Sequence, residues 1–156
     1  MNLKKATLSN SIPSMKRWTT REVLEKEKFI IATPDGHSML PFIKNTDRVC
    51  VSAETKPENF RKNEIAVFSR NGKTIAHRII RKKDGFLVTR GYNCLKADNP
   101  VLEEDLIGKV RGILRDDFYL ELSEKRLRTY SFFANILLPV IYTGTKVRNK
   151  LLTSIK

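Results

Sequence analysis

The sequence predicts a mainly β domain, built as a coiled, barrel-like antiparallel sheet, with a short helix before it and a basic helical segment after it. Short apolar runs separated by turn residues predict the strands, and the Asn71-Gly72 pair predicts a tight hairpin between two of them. Helices do not alternate with these strands, which argues against a doubly wound α/β fold. The 156 residues are enough for one domain that buries its own core.

The N-terminal segment, residues 1–28, is predicted to be flexible and basic and to end in a short helix. Ser, Asn and Pro residues without apolar periodicity fill its first half. Thr19 and Glu22 have the spacing of a capping box for a helix that ends near Lys28. Polar residues follow the basic start where a secretory signal would have an apolar run, so we expect no signal peptide.

Residues 29–123 are predicted to form the β-rich domain. Each strand is a short run rich in β-branched and aromatic residues, and Pro-Asp-Gly, Asn-Gly, Asp-Gly or Asp-Asp turns follow several of them. The predicted strands are Phe29–Thr33, Arg48–Ser52, Glu64–Ser69, Lys73–Ile80, Phe86–Arg90, Leu106–Leu114 and Phe118–Leu122.

The C-terminal segment, residues 124–156, combines an apolar stretch with basic flanks. Residues 132–142 are mostly apolar, but a spanning helix needs about 20 residues, and Asn135 and Pro139 interrupt the stretch. Such a segment fits a helix that lies in a membrane interface. It fits equally well a helix that packs on the sheet or contacts a membrane-bound partner, and the sequence leaves both readings open.

The net charge of +13 is concentrated at the two ends of the chain. Residues 125–156 hold seven basic and no acidic residues, whereas residues 29–124 hold sixteen basic and fourteen acidic residues. Basic ends suit an anionic membrane surface or a nucleic acid, and they also fit solubility alone. The two cysteines, Cys50 and Cys94, are too few for a disulfide framework or a zinc site, so we predict buried thiols, no metal and no cofactor.

One serine and one histidine carry the candidate chemistry. Ser38 follows the Gly36 turn directly after a predicted strand, and His77 shares a strand face with apolar neighbours. A serine hydroxyl becomes a nucleophile only with a base within hydrogen-bond reach, and a partly desolvated imidazole can serve as that base. Taken singly, Ser38 also fits a residue of a surface turn, and His77 also fits a hydrogen-bonded histidine of the core.

Six short motifs resemble, in order and spacing, those of signal peptidase I and its LexA-type repressor relatives. The resemblance covers roughly residues 29–115 and implies a β-rich peptidase fold in which Ser38 attacks a peptide carbonyl. Bacterial members have Lys where this chain has His77, whereas the endoplasmic-reticulum and archaeal signal peptidases have His, so the chain is similar to the His-type variant. The motifs are Gly36-x-Ser38-Met39-x-Pro41, Asp47-x-Val49-x-Val51, Glu64–Phe68, His77–Ile80, Gly91-x-Asn93 and Ile107–Val110.

The resemblance also implies roles for other groups. Asp98 is expected to orient the imidazole of His77, with Asp105 as the alternative. The backbone N–H of Ser38 is expected to bind the oxyanion. Two departures bear on activity: Tyr92 replaces the acid of the family's Gly-Asp-Asn box, and Gly36 replaces a hydroxyl residue that helps to bind the oxyanion in many signal peptidases.

By the same resemblance, the substrate is the extended leader or signal segment of a peptide or protein, with small apolar residues beside the cut. It would add as a strand beside Phe29–Thr33, with Ile31, Thr33 and Met39 as substrate-binding residues. The expected location is the cytoplasm or the membrane periphery, because neither a signal peptide nor a full-length spanning helix is predicted.

Two other functions on the same fold remain open. The first is a DNA-binding regulator, but we see no recognition helix, and the Ala-Gly and Cys-Gly bonds at which such repressors cut themselves are absent, so the sequence argues against a nucleic-acid partner. The second is a catalytically silent module that binds peptides, which the residues at positions 36 and 92 favour.

Overall fold

We describe the protein from a computed structural model, which describes residues 29–116 and 118–136. The predicted N-terminal segment with its short helix, and residues 137–156, lie outside the described residues. The described part contains eight strands and one helix, α1, over residues 124–136. The strands are β1 (Phe29–Ala32), β2 (Arg48–Ala53), β3 (Ile65–Arg70), β4 (Lys73–Lys83), β5 (Phe86–Arg90), β6 (Val101–Leu102), β7 (Leu106–Arg115) and β8 (Phe118–Glu121).

All strand pairs are antiparallel and belong to one sheet, which confirms the predicted mainly β fold. The order along the sheet is β1-β2-β7-β3-β4-β5-β6, and β8 pairs with the end of β7. The sheet does not close into a barrel, because β1 and β6 stand at its two ends without pairing to each other. The outer edge of β1 therefore has no strand partner among the described residues.

The turns explain where the strands end. Asn71 and Gly72 have φ values of 52° and 72°, as a tight hairpin turn of the primed type requires. β4 is longer than predicted and ends at Lys83, because the next residue that breaks the strand is Gly85 with φ 78°. β6, with two residues, is too short to have a recognisable pattern.

The core lies on both faces of the sheet. Ile65 and Val67 of β3 join one apolar cluster, whereas Ala66 and Phe68 join the other. Successive side chains of a strand point to opposite faces, so a strand that is covered on both faces is apolar at each of these positions. This explains the continuous run Ile65–Phe68 in the middle of the sheet.

Helix α1 packs on the domain through Leu127 and Ser131, which are both buried. The ring of Tyr130 lies 4.2 Å from that of Phe42, and Asn135 accepts a hydrogen bond of 2.6 Å from Arg78 of β4. Residues 124–136 therefore pack against the sheet, whereas most of the apolar stretch 132–142 lies outside the described residues. Within the described residues, no helix is both long and apolar enough to cross a membrane.

Candidate active site

Ser38 lies in the loop between β1 and β2, with the Gly36 turn before it and buried residues after it. Gly36 has φ +99°, a conformation that side chains rarely adopt, and it starts the turn. Met39 and Phe42 are buried on the far side of the serine, and the backbone N–H of Phe42 donates to the carbonyl of Met39 over 3.0 Å. The loop thus holds Ser38 at the surface while its neighbours fill the core.

A second loop, between β5 and β6, buttresses the serine. The backbone N–H of Asn93 donates to the carbonyl of Ser38 over 2.7 Å, and its side-chain amide donates to the carbonyl of His37 over 3.3 Å. A Cβ at Gly91 would lie 2.5 Å from the carbonyl oxygen of Ser38 and 3.0 Å from its Cβ. Only a glycine fits this approach, which gives the Gly91-x-Asn93 motif a structural role.

His77 is buried in β4, next to an acidic residue. Its Nδ1 lies 2.7 Å from Oδ2 of Asp98, and its ring meets the ring of Phe68 edge-on, with 6.2 Å between the ring centroids. The structure therefore brings together His77 and Asp98, which are 21 residues apart in sequence. Asp105 follows in a short 3-10 turn before β7 and makes no hydrogen bond to His77.

Thr89 of β5 completes this hydrogen-bond chain, and sequence reasoning missed it. Its hydroxyl donates to Oδ2 of Asp98 over 2.6 Å, and its carbonyl accepts the backbone N–H of Asp98 over 2.9 Å. Burial alone would raise the pKa of Asp98, but the hydrogen bonds to His77 and Thr89 favour the carboxylate, and the pKa lies below its ordinary value. Threonine is common in β-strands, so nothing in the sequence indicated that Thr89 supports the carboxylate of Asp98.

Ser38 and His77 line the same cleft, but within the described ranges no hydrogen bond joins the hydroxyl to the imidazole. Nε2 of His77, the nitrogen that does not face Asp98, has no hydrogen-bond partner among these residues. The arrangement can therefore accept a proton at Nε2, while Asp98 holds Nδ1 in place on the other side of the ring.

The cleft has a volume of about 770 Å³ and an apolar floor. On one side it is bounded by β1, and on the other by the first residues of β4, which pair with β3 alone because β5 joins β4 only from Arg78 onward. Two strand edges that have no strand partner within residues 29–116 and 118–136 thus border the cleft. Its floor consists of Ile30, Ala32, Met39, Ile43, Val49, Val51, Val67 and Ala76.

Only two of the three predicted substrate-binding residues lie in the cleft. Thr33 and Met39 line the cleft. Ile31 does not line it and is 45% exposed. Because neighbours in a strand face opposite sides, Ile30 and Ala32 line the cleft instead.

Tyr92, between Gly91 and Asn93, is a core residue. Its ring is buried, lies 4.9 Å from that of Phe42, and has the guanidinium of Arg78 at 5.1 Å. Its hydroxyl lies 3.5 Å from that of Ser131 in helix α1. Burial raises the pKa of this phenol, so it stays protonated at neutral pH. Tyr92 thus forms part of the surface against which helix α1 packs.

The cysteines do not form a site. Cys50 and Cys94 are half-buried free thiols, and burial raises the pKa of each. Across the residues that the structure describes, no cluster of His, Cys, Asp and Glu could hold a metal ion.

Comparison with known proteins gives one match. A family model described as Peptidase S24-like matches residues 4–112, which is most of the chain and includes Ser38, His77 and Asp98. No curated protein and no solved structure matches the sequence significantly.

Proposed function

This chain belongs to the Peptidase S24-like family, and from that membership we propose that it is a serine endopeptidase of the His type, similar to signal peptidases, that cleaves the leader segment of another peptide or protein. Ser38 is the nucleophile, His77 is the general base, and Asp98 orients the imidazole. The main support is the 2.7 Å contact between Nδ1 of His77 and Oδ2 of Asp98, behind a cleft that Ser38 also lines.

The proposed reaction begins with proton transfer from Ser38 Oγ to Nε2 of His77 as the oxygen attacks the scissile carbonyl. The carboxylate of Asp98 holds the proton on Nδ1 and stabilises the imidazolium that forms. The proton on Nε2 then passes to the leaving amine, the peptide C–N bond breaks, and an acyl-enzyme remains on Ser38. A water molecule, deprotonated by His77 in the same way, hydrolyses this ester.

The hydroxyl and the imidazole must approach each other for this first step. Catalytic hydrogen bonds are often long or poorly aligned without substrate and tighten in the complex. A substrate strand that binds in the cleft would contact the Ser38 loop on one side and the start of β4 on the other. Binding of the substrate would therefore bring the two side chains together.

The cleft suits an extended substrate with small apolar side chains. Main-chain groups of the substrate can pair with the free edges of β1 and β4, and alternate side chains would enter the apolar floor. The backbone N–H of Ser38 would bind the oxyanion. Gly36 offers no side-chain donor, and loss of one such donor can reduce the rate by ~10²–10³-fold, so we expect a slow enzyme.

The test is cleavage of an Ala-x-Ala-type leader peptide by the purified full chain, followed by mass spectrometry. Ser38→Ala and His77→Ala should each abolish turnover while the protein still folds, as judged by circular dichroism. His37→Ala is the matched control, because His37 is exposed beside Ser38 and its side chain has no role in the proposal. Retained cleavage in Ser38→Ala would contradict the assignment.

A catalytically silent peptide-binding module is the second candidate. Two observations favour it: no hydrogen bond joins Ser38 to His77 among the described residues, and position 36 has no side-chain oxyanion donor. Under this alternative the leader peptide binds in the cleft without being cut, and an acylating serine-directed probe fails to label Ser38. Covalent labelling that disappears in His77→Ala would exclude it.

A further inference from the structure

We propose that the outer face of helix α1 docks on an anionic membrane surface. This outer face consists of Phe132, Phe133 and Ile136, which are 62%, 52% and 48% exposed. The inference does not depend on the chemistry of Ser38, since it concerns a surface that lies outside the cleft.

The exposed apolar residues are not needed to pack the helix. The inner face of α1 already contacts the sheet through Leu127 and Ser131, which are buried, and through Ala134, which packs against the core. Phe132 and Ile136 are four residues apart and so lie on one stripe of the helix. The rings of Phe132 and Phe133 are in edge-on contact, with 6.0 Å between their centroids. A paired aromatic surface of this kind usually marks an interaction site.

Helix α1 is held firmly, so it presents these rings in a fixed direction. Asn135, on the same turn as Ile136, accepts hydrogen bonds of 2.6 Å from both Arg78 and Arg90. One turn earlier, Ser131 is buried and its carbonyl accepts a bond of 3.4 Å from Arg78. The outward position of the phenylalanines is therefore set by the packing of the opposite face.

Charge points to an anionic lipid surface as the occupant. The first turns of α1 carry Lys125, Arg126 and Arg128, and the acid at its start, Glu124, is paired with Arg61 at 3.6 Å. From residue 125 to residue 156 the sequence holds seven basic and no acidic residues. Basic residues beside an anionic leaflet each contribute to binding, and apolar rings enter the boundary between headgroups and acyl chains.

The sequence after the described helix continues the same pattern. The apolar stretch runs on to residue 142 and is followed by Lys146, Arg148 and Lys150. An apolar segment of eleven residues between basic flanks is too short to span a bilayer, since about 20 are needed. It has the composition of a segment that lies in the interface. A protein partner would not require basic residues on both sides of the apolar stretch.

The experiment is co-sedimentation of the full chain with vesicles of phosphatidylcholine alone or mixed with phosphatidylglycerol. We expect binding to the mixed vesicles and little binding to the neutral ones. The double variant Phe132→Ser/Phe133→Ser should bind at least about tenfold more weakly, since each buried ring contributes roughly a tenfold factor or more. The double variant Lys125→Glu/Arg128→Glu should also bind more weakly at low salt, and added salt should narrow its difference from the wild type.

Leu102→Ser is the control, because Leu102 is another exposed apolar residue, on β6 and away from α1, and it should bind like the wild type. Circular dichroism melts establish that each variant folds. Equal binding to neutral and anionic vesicles, or undiminished binding of the phenylalanine variant, would overturn the proposal. So would a concentration-dependent dimer that the phenylalanine variant abolishes while vesicles bind neither protein, because a second copy would then be the occupant. Binding to single-stranded nucleic acid in place of vesicles would overturn it as well.

Discussion

Thr89 and Asp98 hold each other by two hydrogen bonds. The backbone N–H of Asp98 donates to the carbonyl of Thr89 over 2.9 Å, and the hydroxyl of Thr89 donates to Oδ2 of Asp98 over 2.6 Å. The same oxygen lies 2.7 Å from Nδ1 of His77. A fully buried strand residue thus fixes a carboxylate that lies on a loop, and the carboxylate in turn contacts the imidazole.

Substitution of Thr89 should move both the pKa of Asp98 and the proposed catalysis. Thr89→Val keeps the branched shape but removes the donor, so the pKa of Asp98 should rise toward its ordinary value. We expect kcat to fall about tenfold with KM unchanged, because a hydrogen bond to a charged group contributes about 1.5–3 kcal/mol. Carbon-detected NMR of the carboxyl group measures the pKa, and peptide cleavage measures kcat.

Thr89→Ser restores the hydroxyl and is the control for this prediction. It should recover the low pKa and most of kcat. A valine variant whose Asp98 titrates as in the wild type would show that the hydroxyl does not support the carboxylate. Because the NMR titration needs no turnover, this outcome is separate from the fate of the proposed peptidase activity.

The lowered pKa of Asp98 makes the stability of the fold depend on pH in the acid range. A carboxyl whose folded pKa lies below its unfolded value of about 3.9 contributes stability above that value and loses it as the pH falls through the folded pKa. Asp98→Asn should therefore flatten the acid limb of the stability curve. Urea unfolding at a series of pH values measures this, and an unchanged acid limb would contradict it.

Gly91 should not tolerate a methyl group. A Cβ at this position would meet the carbonyl oxygen of Ser38 at 2.5 Å, which is backbone that can move only with the whole loop. We expect Gly91→Ala to lower stability by about 1–3 kcal/mol and to reduce the reactivity of Ser38 toward an acylating probe. Gly85→Asn is the control, since open space surrounds this turn and asparagine accepts its φ of 78°. Equal labelling of Ser38 in Gly91→Ala and in the wild type would show that Gly91 does not support the position of Ser38.

Most strands were predictable because several of them end at residues with a plain conformational reason, such as Asn71-Gly72 and Asp84-Gly85. The sequence could not show whether Ile31 or its neighbours on the other face of β1 line the cleft. Either face of an edge strand can turn toward a cleft that other elements complete. The position of Ser38 in the cleft that His77 also lines depends on two loops that meet at Gly91, so sequence spacing carries no information about it. The resemblance named Asp98 and, as an alternative, Asp105 as partners of His77, and the structure has Asp98 in contact with it, whereas Thr89 lies in no motif.

The C-terminal helix meets the sheet at an unusual cluster of charge. Arg78 is fully buried and Arg90 half-buried, and both donate to the one neutral oxygen of Asn135 over 2.6 Å. The Nε atom of each arginine has no hydrogen-bond partner among the described residues. Burial, and then the charge of Arg90, lower the pKa of Arg78. The two guanidiniums therefore repel each other across a neutral acceptor.

Asn135→Asp should stabilise the protein because it places a negative charge between these two cations. The gain should be about 1–2 kcal/mol near neutral pH, as expected when a neutral acceptor becomes a charged one. The guanidiniums would hold the folded pKa of the new carboxyl below its unfolded value of about 3.9, so the gain should be present above that value and vanish as the pH falls through the folded pKa.

Asn135→Ala, which leaves both arginines without this acceptor, should lower the stability at every pH. Urea unfolding of the three proteins at neutral and acid pH measures these differences. A less stable aspartate variant at neutral pH would mean that the guanidiniums do not need the charge, and that the helix is held by other contacts, such as that of Tyr130 with Phe42, instead.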